Sequence, residues 1–413
     1  MNNRGISLTL LAGIIALPVS SQETGGKSMR FELSERVEAV SNPKLNPGQD
    51  GSEFLSTTNM AYELSSKTRR DELSLRLQGA LRVPFGGSTD DPGIDDTGAR
   101  LQYTYTAPDV SLSALALIRK RDLEYLQSFD LDDDDDIDTL NNTGDRINSR
   151  LQVGVNVWED RPFGWGVSVG SSKVRYSNLG AGSTLTDYDR EDATLTGRFA
   201  LSAVTELNAS LTYNNNQEQG NASFKTYGAN FALSHLSNTS EFRTGLSMAW
   251  PDQSGDRVSL TVGNTTQFND LHQISFDVGG SFTDGGSTYL IGRVDYQNQL
   301  TRNGRARANV ERQITDASDG AVILRTRGEL GYDLDLSPLT NMAFDVRYLE
   351  RDNLSANTER REYGVSVSVN RQLTEDWVLT VGVGQTSRKE TGLADAKSES
   401  LYFSIGRAWT GKF

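Results

Sequence analysis

The sequence contains no cysteine. That excludes a disulfide framework, thiol catalysis and cysteine-type metal sites. Histidine is almost as scarce, with only His235 and His272, far apart in the chain. Basic charge is in deficit: 41 Lys and Arg against 55 Asp and Glu give a net charge of −14. The deficit argues against nucleic acid as a partner and against binding to anionic lipid through a basic surface. Proline is sparse at nine residues. No internal segment reaches the roughly 18 consecutive apolar residues of a membrane-crossing helix. The pairs Gly86-Gly87 and Gly279-Gly280 are not phosphate-binding loops, because no helix pattern comes after them to supply an N-terminal dipole. These absences leave little room for enzyme chemistry or a cofactor, and none is expected.

The chain opens on an export pattern. Met1-Asn2-Asn3-Arg4 is a short positive region, Ile6 to Leu17 is apolar and too short to span a bilayer, and Pro18 breaks it. Val19 and Ser21 are small enough for the −3 and −1 positions of a signal peptidase site, so residues 1–21 are expected to be a signal peptide and 22–413 the mature protein. The chain as a whole is only 36% hydrophobic, with a mean hydropathy of −0.50. Hydropathy alone reads as a soluble exported protein, but a barrel escapes that test because only alternate residues face lipid.

Period-two alternation runs almost end to end. Leu73, Leu75, Leu77, Leu81 and Val83 share one face, while Ser74, Arg76, Gln78, Ala80 and Arg82 share the other. Ile147, Leu151, Val153, Val155 and Val157 oppose Arg146, Asn148, Arg150, Gln152 and Asn156, and Tyr363, Val365, Val367 and Val369 oppose Glu362, Ser366, Ser368 and Asn370. About twenty such segments recur, each near the ten residues that a tilted strand needs to cross a bilayer. The connections alternate as well. Short ones such as Ala107-Pro108-Asp109, Trp158–Gly164 and Leu373–Asp376 are interleaved with longer polar ones at Ser41–Glu53, Pro84–Asp96, Arg121–Asp145, Ser177–Glu191 and Asp352–Arg360. With the first strand rising from the periplasm, Trp158, Trp165, Trp377 and Trp409 fall at periplasmic strand ends and Trp250 at an outer end, as interfacial aromatic girdles require.

The signal pattern, the alternation and the terminal Trp409-Thr410-Gly411-Lys412-Phe413 together resemble a Gram-negative outer-membrane β-barrel of the porin-like kind. The fold expected is all-β: a transmembrane antiparallel up-and-down barrel of 16–20 strands, with 18–20 preferred. The resemblance also implies Phe413 as the signal read by the barrel-assembly machinery, although Gly411 and Arg407 interrupt the usual apolar series. It further implies outer-membrane lipid and lipopolysaccharide as surroundings, and a homotrimer as one assembly. A closed barrel has no sheet edges to hide and needs no partner for that purpose.

Charges at mid-membrane depth belong on the water-lined face. That rule assigns Arg76, Arg82, Arg146, Arg150, Arg198, Arg293, Arg305, Arg307, Arg325, Arg327 and Arg347 to the lumen, together with Asp295, Glu311, Glu329 and Asp345. A lumen lined by charge is a path for ions and solutes; alternatively, opposite charges neutralise one another and brace the interior. The longest connection carries Asp132, Asp133, Asp134, Asp135 and Asp136. It resembles the third outer loop of general porins, which folds inward to face a wall of Arg, but it lacks the Pro-Glu-Phe-Gly sequence common there. A solvated acidic loop is the other reading, and weak Ca²⁺ binding to its carboxylates a third. Two functions stay open at this point: a channel for passive diffusion of small hydrophilic solutes or ions, or a barrel serving surface polysaccharide export or envelope structure without an open pore. Both histidines fall at periplasmic ends, away from the outer boundary where outer-membrane lipases and proteases resemble one another in placing their site.

Overall fold

The computed structural model describes residues 26–48, 51–85, 92–125, 143–181, 183, 185–269, 271–317 and 320–412. The signal segment, the acidic run Asp132–Asp136 and Phe413 lie outside the described residues. Among those described, the chain forms twenty strands and one short 3-10 turn, Leu123–Tyr125. In order these are β1 (Gly26–Ser41), β2 (Ser52–Lys67), β3 (Asp71–Phe85), β4 (Gly93–Ala107), β5 (Val110–Asp122), β6 (Asp145–Val157), β7 (Phe163–Ser177), β8 (Tyr188–Ala200), β9 (Thr205–Glu218) and β10 (Phe224–Leu236). The second half continues with β11 (Ser240–Pro251), β12 (Arg257–Asn269), β13 (His272–Thr283), β14 (Thr288–Thr301), β15 (Gly304–Asp316), β16 (Val322–Ser337), β17 (Thr340–Asn353), β18 (Thr358–Gln372), β19 (Trp377–Glu390) and β20 (Ala396–Lys412).

Each strand pairs antiparallel with the next, and β20 returns to β1 in register from Ser28↔Lys412 to Val40↔Ser400. The sheet is therefore a closed up-and-down barrel of twenty strands, the upper end of the expected range. Closure leaves no row of unpaired backbone groups, as a strand surrounded by lipid requires. Strand lengths run from 12 to 17 residues, more than the roughly ten needed to cross the apolar band, so the strands project beyond it.

The sidedness is the reverse of a soluble protein. Leu151 is 56% exposed, Leu211 54%, Val262 56% and Leu290 68%, and all four point outward. Buried apolar side chains are few, and most sit towards the outer end of the barrel, among them Val40, Leu45, Leu55 and Leu123. An exposed, predominantly apolar face of this extent is a lipid contact. Aromatic pairs border it at both ends. Phe31–Trp409 and Phe163–Phe199, with ring centroids 5.4 and 5.1 Å apart, lie at the end carrying the short turns. Phe54–Phe85, Tyr213–Tyr227 and Tyr348–Tyr363, at 5.7, 5.3 and 5.2 Å, lie at the other. Trp165, Trp377 and Trp409 join the first row and Trp250 the second, and Trp158 lies in the β6–β7 turn beyond the first row, where the alternation placed them.

Turn chemistry is local. Asn42, Asn178 and Asn357 take positive φ at 45°, 56° and 52° in outer connections, a conformation Asn tolerates through its short hydrogen-bonding side chain. In the β6–β7 turn Trp158 itself is left-handed at φ 60°. Its carbonyl approaches so closely that a Cβ on Gly164 would lie 2.7 Å away, which only glycine allows. One expected loop is corrected. Asp352–Arg360 is not a long connection, because β17 runs to Asn353 and β18 begins at Thr358. Glu350, Asp352, Glu359 and Arg361 point outward above the Tyr348–Tyr363 pair. With polar residues on both faces, the strand loses its apolar period there and reads as a loop.

Candidate functional site: the barrel interior

All fifteen charged residues expected on the lumen face occupy interior positions, opposite in parity to the exposed apolar side chains. They are Arg76 and Arg82 on β3, Arg146 and Arg150 on β6, Arg198 on β8, Arg293 and Asp295 on β14, Arg305, Arg307 and Glu311 on β15, Arg325, Arg327 and Glu329 on β16, and Asp345 and Arg347 on β17. They do not form one cluster. Arg198, near the periplasmic end, holds Glu206 at 2.6 Å, while Arg82, near the outer end, holds Asp95 at 2.9 Å.

Two walls carry most of the charge. On β3–β6 the register sets Arg76 beside Arg100, Arg100 beside Leu117 and Leu117 beside Arg150 in one row across the sheet. Arg121 pairs with Arg146 in the row closer to the outer mouth. Arg76, Arg100, Arg119, Arg121 and Arg146 line a recess of about 390 Å³ in this wall. Among the described residues, carboxylates here are few. Asp96 takes Arg119 and, at 3.7 Å, Arg121, and Arg76 reaches Glu32 and Glu63 only at 3.4 and 3.5 Å. Arg100 donates to the Gln102 side-chain oxygen at 3.3 Å. Among the described residues, this wall therefore gathers more guanidinium groups than carboxylates.

Eleven strands further round the ring, β14–β17 face it with a mixed network. Arg293 pairs with Asp295 at 2.6 Å and Arg327 with Glu329 at 2.8 Å. Arg307 bridges Asp333 and Asp345, the latter at 2.6 Å. Beside them Arg243 on β11 reaches Asp277 on β13 at 3.1 Å. Ion pairing does not bury these groups: the side chains of Arg293 and Arg307 remain 53% exposed and that of Arg76 41%, although the sheet encloses them on every side.

The outer mouth is narrowed from two opposed directions. The β1–β2 connection turns inward, held by reciprocal bonds between Asn42 and Asn46 at 3.0 and 2.9 Å. Its Leu45 carbonyl accepts a bond from the buried Arg388 at 2.6 Å, and Lys44 reaches Glu124, beyond β5, at 3.0 Å. This loop thus spans the arc from β19 to β5. On the far side, Arg257 of β12 grips Asp316 of β15 through two bonds of 2.5 and 2.6 Å, with both side chains nearly buried. The turn after β15 brings Gly320 against the buried ring of Phe224 on β10.

Reading the sequence for lumen charges missed several members of this arrangement. Arg100 and Arg119 lie in recognised strands, and the parity of Leu101 and Ile118 would have assigned them. Asp95 and Asp96 carried no such signal. They fall in a segment read as loop, where the β3–β4 register shifts between Gln78 and Ala80 and Asp96 turns to φ 50°. Arg257 and Asp316 meet across strands that are not neighbours, and Arg388 meets Leu45 through a loop that doubles back. His235 bonds Thr205 at 2.9 Å at the periplasmic end of β10, and His272 opens β13 at the same end.

No protein-family profile and no curated protein matches the chain. Solved structures do resemble it. The siderophore receptor PirA from Acinetobacter baumannii aligns over 95% of this chain and 81% of its own, with 9% identity and a TM-score of 0.52. PirA from Pseudomonas aeruginosa aligns over the same shares, with 11% identity and a TM-score of 0.50. OccK1 (OpdK) of Pseudomonas aeruginosa covers 93% of this chain and 99% of its own at 13% identity and a TM-score of 0.46. The two PirA proteins are siderophore receptors, and OpdK is an outer-membrane protein. By its closed twenty-strand sheet, its outward apolar face and its likeness to the two PirA receptors, the chain has the fold of an outer-membrane-type β-barrel.

Proposed function

We propose that this barrel is a channel of the bacterial outer membrane that passes small hydrophilic solutes and ions by diffusion. The observation that carries the reading is the state of the interior charges. Guanidinium groups such as Arg293 and Arg307 are enclosed by the wall yet half exposed. Groups that filled a solid interior would be buried among partners. Charged groups at membrane depth with that exposure line water, and a water-filled, charge-lined lumen is an ion path. The unequal walls add a preference. Among the described residues the β3–β6 wall carries more cationic than acidic groups, so anions are favoured and apolar solutes are disfavoured by the field.

Conductance of the purified protein in planar bilayers tests this. Steady steps that scale with salt and a reversal potential on the anion side are the expected result. Silence across all voltages would overturn the channel and favour a barrel that serves polymer export or envelope structure.

A further inference from the structure

Between its charged walls the lumen carries an arc without charge. Pairing across β6–β9 sets Asn156 beside Gly166, Gly166 beside Thr196 and Thr196 beside Ser210. The same row continues over β10–β12 through Asn230, Ser247 and Ser259. All are lumen positions, and each except the glycine ends in a hydroxyl or a carboxamide. Strand tilt turns the row into a climb. A step to the next strand is about 4.8 Å, and a tilt of about 40° lifts it about 3 Å along the membrane normal. Accordingly Asn156 lies next to the periplasmic end of β6, whereas Ser259 lies close to the outer end of β12. The row runs obliquely from one mouth towards the other.

It stands clear of its surroundings. On β10 and β11, Gly228 and Ala249 flank it on the outer side, and Ala232 and Gly245 on the periplasmic side. None of these reaches past Cβ, so the Asn230 carboxamide and the Ser247 hydroxyl rise between two bare rows. Charges lie only towards the ends of the row, with Arg198 on Glu206 at the periplasmic end and Arg257 on Asp316 at the outer one. Members touch along the row. Ser247 donates to the Asn230 carboxamide oxygen at 2.5 Å, and Asn230 donates to Ser210 at 3.2 Å. Capacity is left over: the O–H of Ser210, the second N–H of Asn230 and the carboxamide oxygen of Asn156 have no partner among the described residues. The periplasmic stretch opens into a cavity of about 550 Å³, which Asn156, Thr196, Ser210 and Asn230 line together.

The chemistry of the row matches one class of solute. Ser and Thr hydroxyls and the Asn carboxamide each donate and accept. A saccharide hydroxyl does the same, so it replaces, bond for bond, the water that it displaces. An ion finds no opposite charge on these strands, and an apolar solute leaves their polar groups unpaired. The step between strands is also close to the length of one pyranose unit, so successive rings of a linear chain meet successive members. We infer that this row is a track for neutral linear saccharides, with a resting site in the cavity at its periplasmic end. Passage along it rests on the channel reading, whereas binding at the cavity does not.

The probe is maltohexaose. The control is polyethylene glycol of matched hydrodynamic size, whose chain accepts hydrogen bonds but donates none. In planar bilayers maltohexaose should interrupt the current in discrete, saturable blocks, and polyethylene glycol should not. Asn230→Ala combined with Ser247→Ala should raise the half-blocking concentration at least several-fold. Asn370→Ala, which removes a lumen carboxamide of β18 outside the row, should leave it unchanged. Binding is read separately, by calorimetric titration of maltohexaose into the full-length protein in nanodiscs, which needs no current. Heat-modifiable gel mobility reports folding, and should the double variant fail to fold, the contrast between sugar and polymer in the native protein decides. Equal block by both probes means that size alone acts and overturns the track. So does an unchanged half-blocking concentration in the folded double variant, or steady conductance with neither block nor binding of the sugar. Saturable sugar binding without any conductance would sink the channel and leave the saccharide site standing.

Discussion

At the scale of single residues, the interior separates groups that set the field from groups that hold the shape. Arg100 and Arg150 face the lumen from the cation-rich wall, and no carboxylate lies within ion-pair distance of either among the described residues. Replacing both with Gln should move the reversal potential towards the cation side and leave stability within about 0.5 kcal/mol, the range of substitutions that break no partnered group. An unchanged potential would mean that the wall does not set selectivity. Arg257 is the contrary case. Its partner Asp316 is almost wholly shielded, so Arg257→Ala strands a carboxylate and should cost about 3 kcal/mol, because breaking a buried pair leaves an uncompensated charge. It should also free the turn that leans on Phe224 and raise single-channel conductance. Denaturant titration and bilayer recording check the two effects separately. Lumen charges in regular strands were legible, since a charge opposite a leucine has only one face to take. Arg257, Arg388 and Asp96 were not, because contact between non-adjacent strands, a loop's return path or a register shift fixes their partners, and none of these leaves a period in the sequence.

At the scale of the strand, the face assignment makes a sharp prediction. Val262 and Thr261 are neighbours on β12, one outward and one inward. Val262→Arg places a guanidinium in lipid and should destabilise by about 2–4 kcal/mol, while Thr261→Arg meets water and should cost less than about 1 kcal/mol. Equal penalties for the pair in urea titrations from liposomes would invert or abolish the assignment. Twenty strands were countable from the sequence because lipid enforces strict alternation over about ten residues. Their ends were less so. Above the outer aromatic row both faces are wet, the alternation has no physical cause, and Glu350 to Arg361 read as loop although they are paired. Glu35, on the lipid face of β1, was missed for the opposite reason. It obeys the period of its strand but breaks the chemistry of its face, and one polar residue in an apolar series reads as noise until the hydroxyls of Ser56 and Thr58 on β2 are seen beside it.

At the scale of the whole molecule, the two mouths differ. Inward-folded loops narrow the outer one from opposed sides, whereas the periplasmic turns are short, such as those between Thr301 and Gly304 and between Ser337 and Thr340. A channel with its resistance concentrated at one end should rectify, passing unequal currents at equal and opposite voltages in asymmetric insertion. A symmetric current–voltage curve would mean that the loops do not limit flow. The seam between β1 and β20 has a different consequence, for time. Its pairs, from Ser28↔Lys412 to Val40↔Ser400, join residues separated by nearly the whole chain. Every other strand meets its partner within one hairpin, but this contact has no local route, and the cost of bringing distant segments together delays it. The barrel cannot close until β20 has been made. Until then the first strand carries an open edge and an acid destined for lipid, so the chain must be kept from aggregating for the entire length of its synthesis and transit.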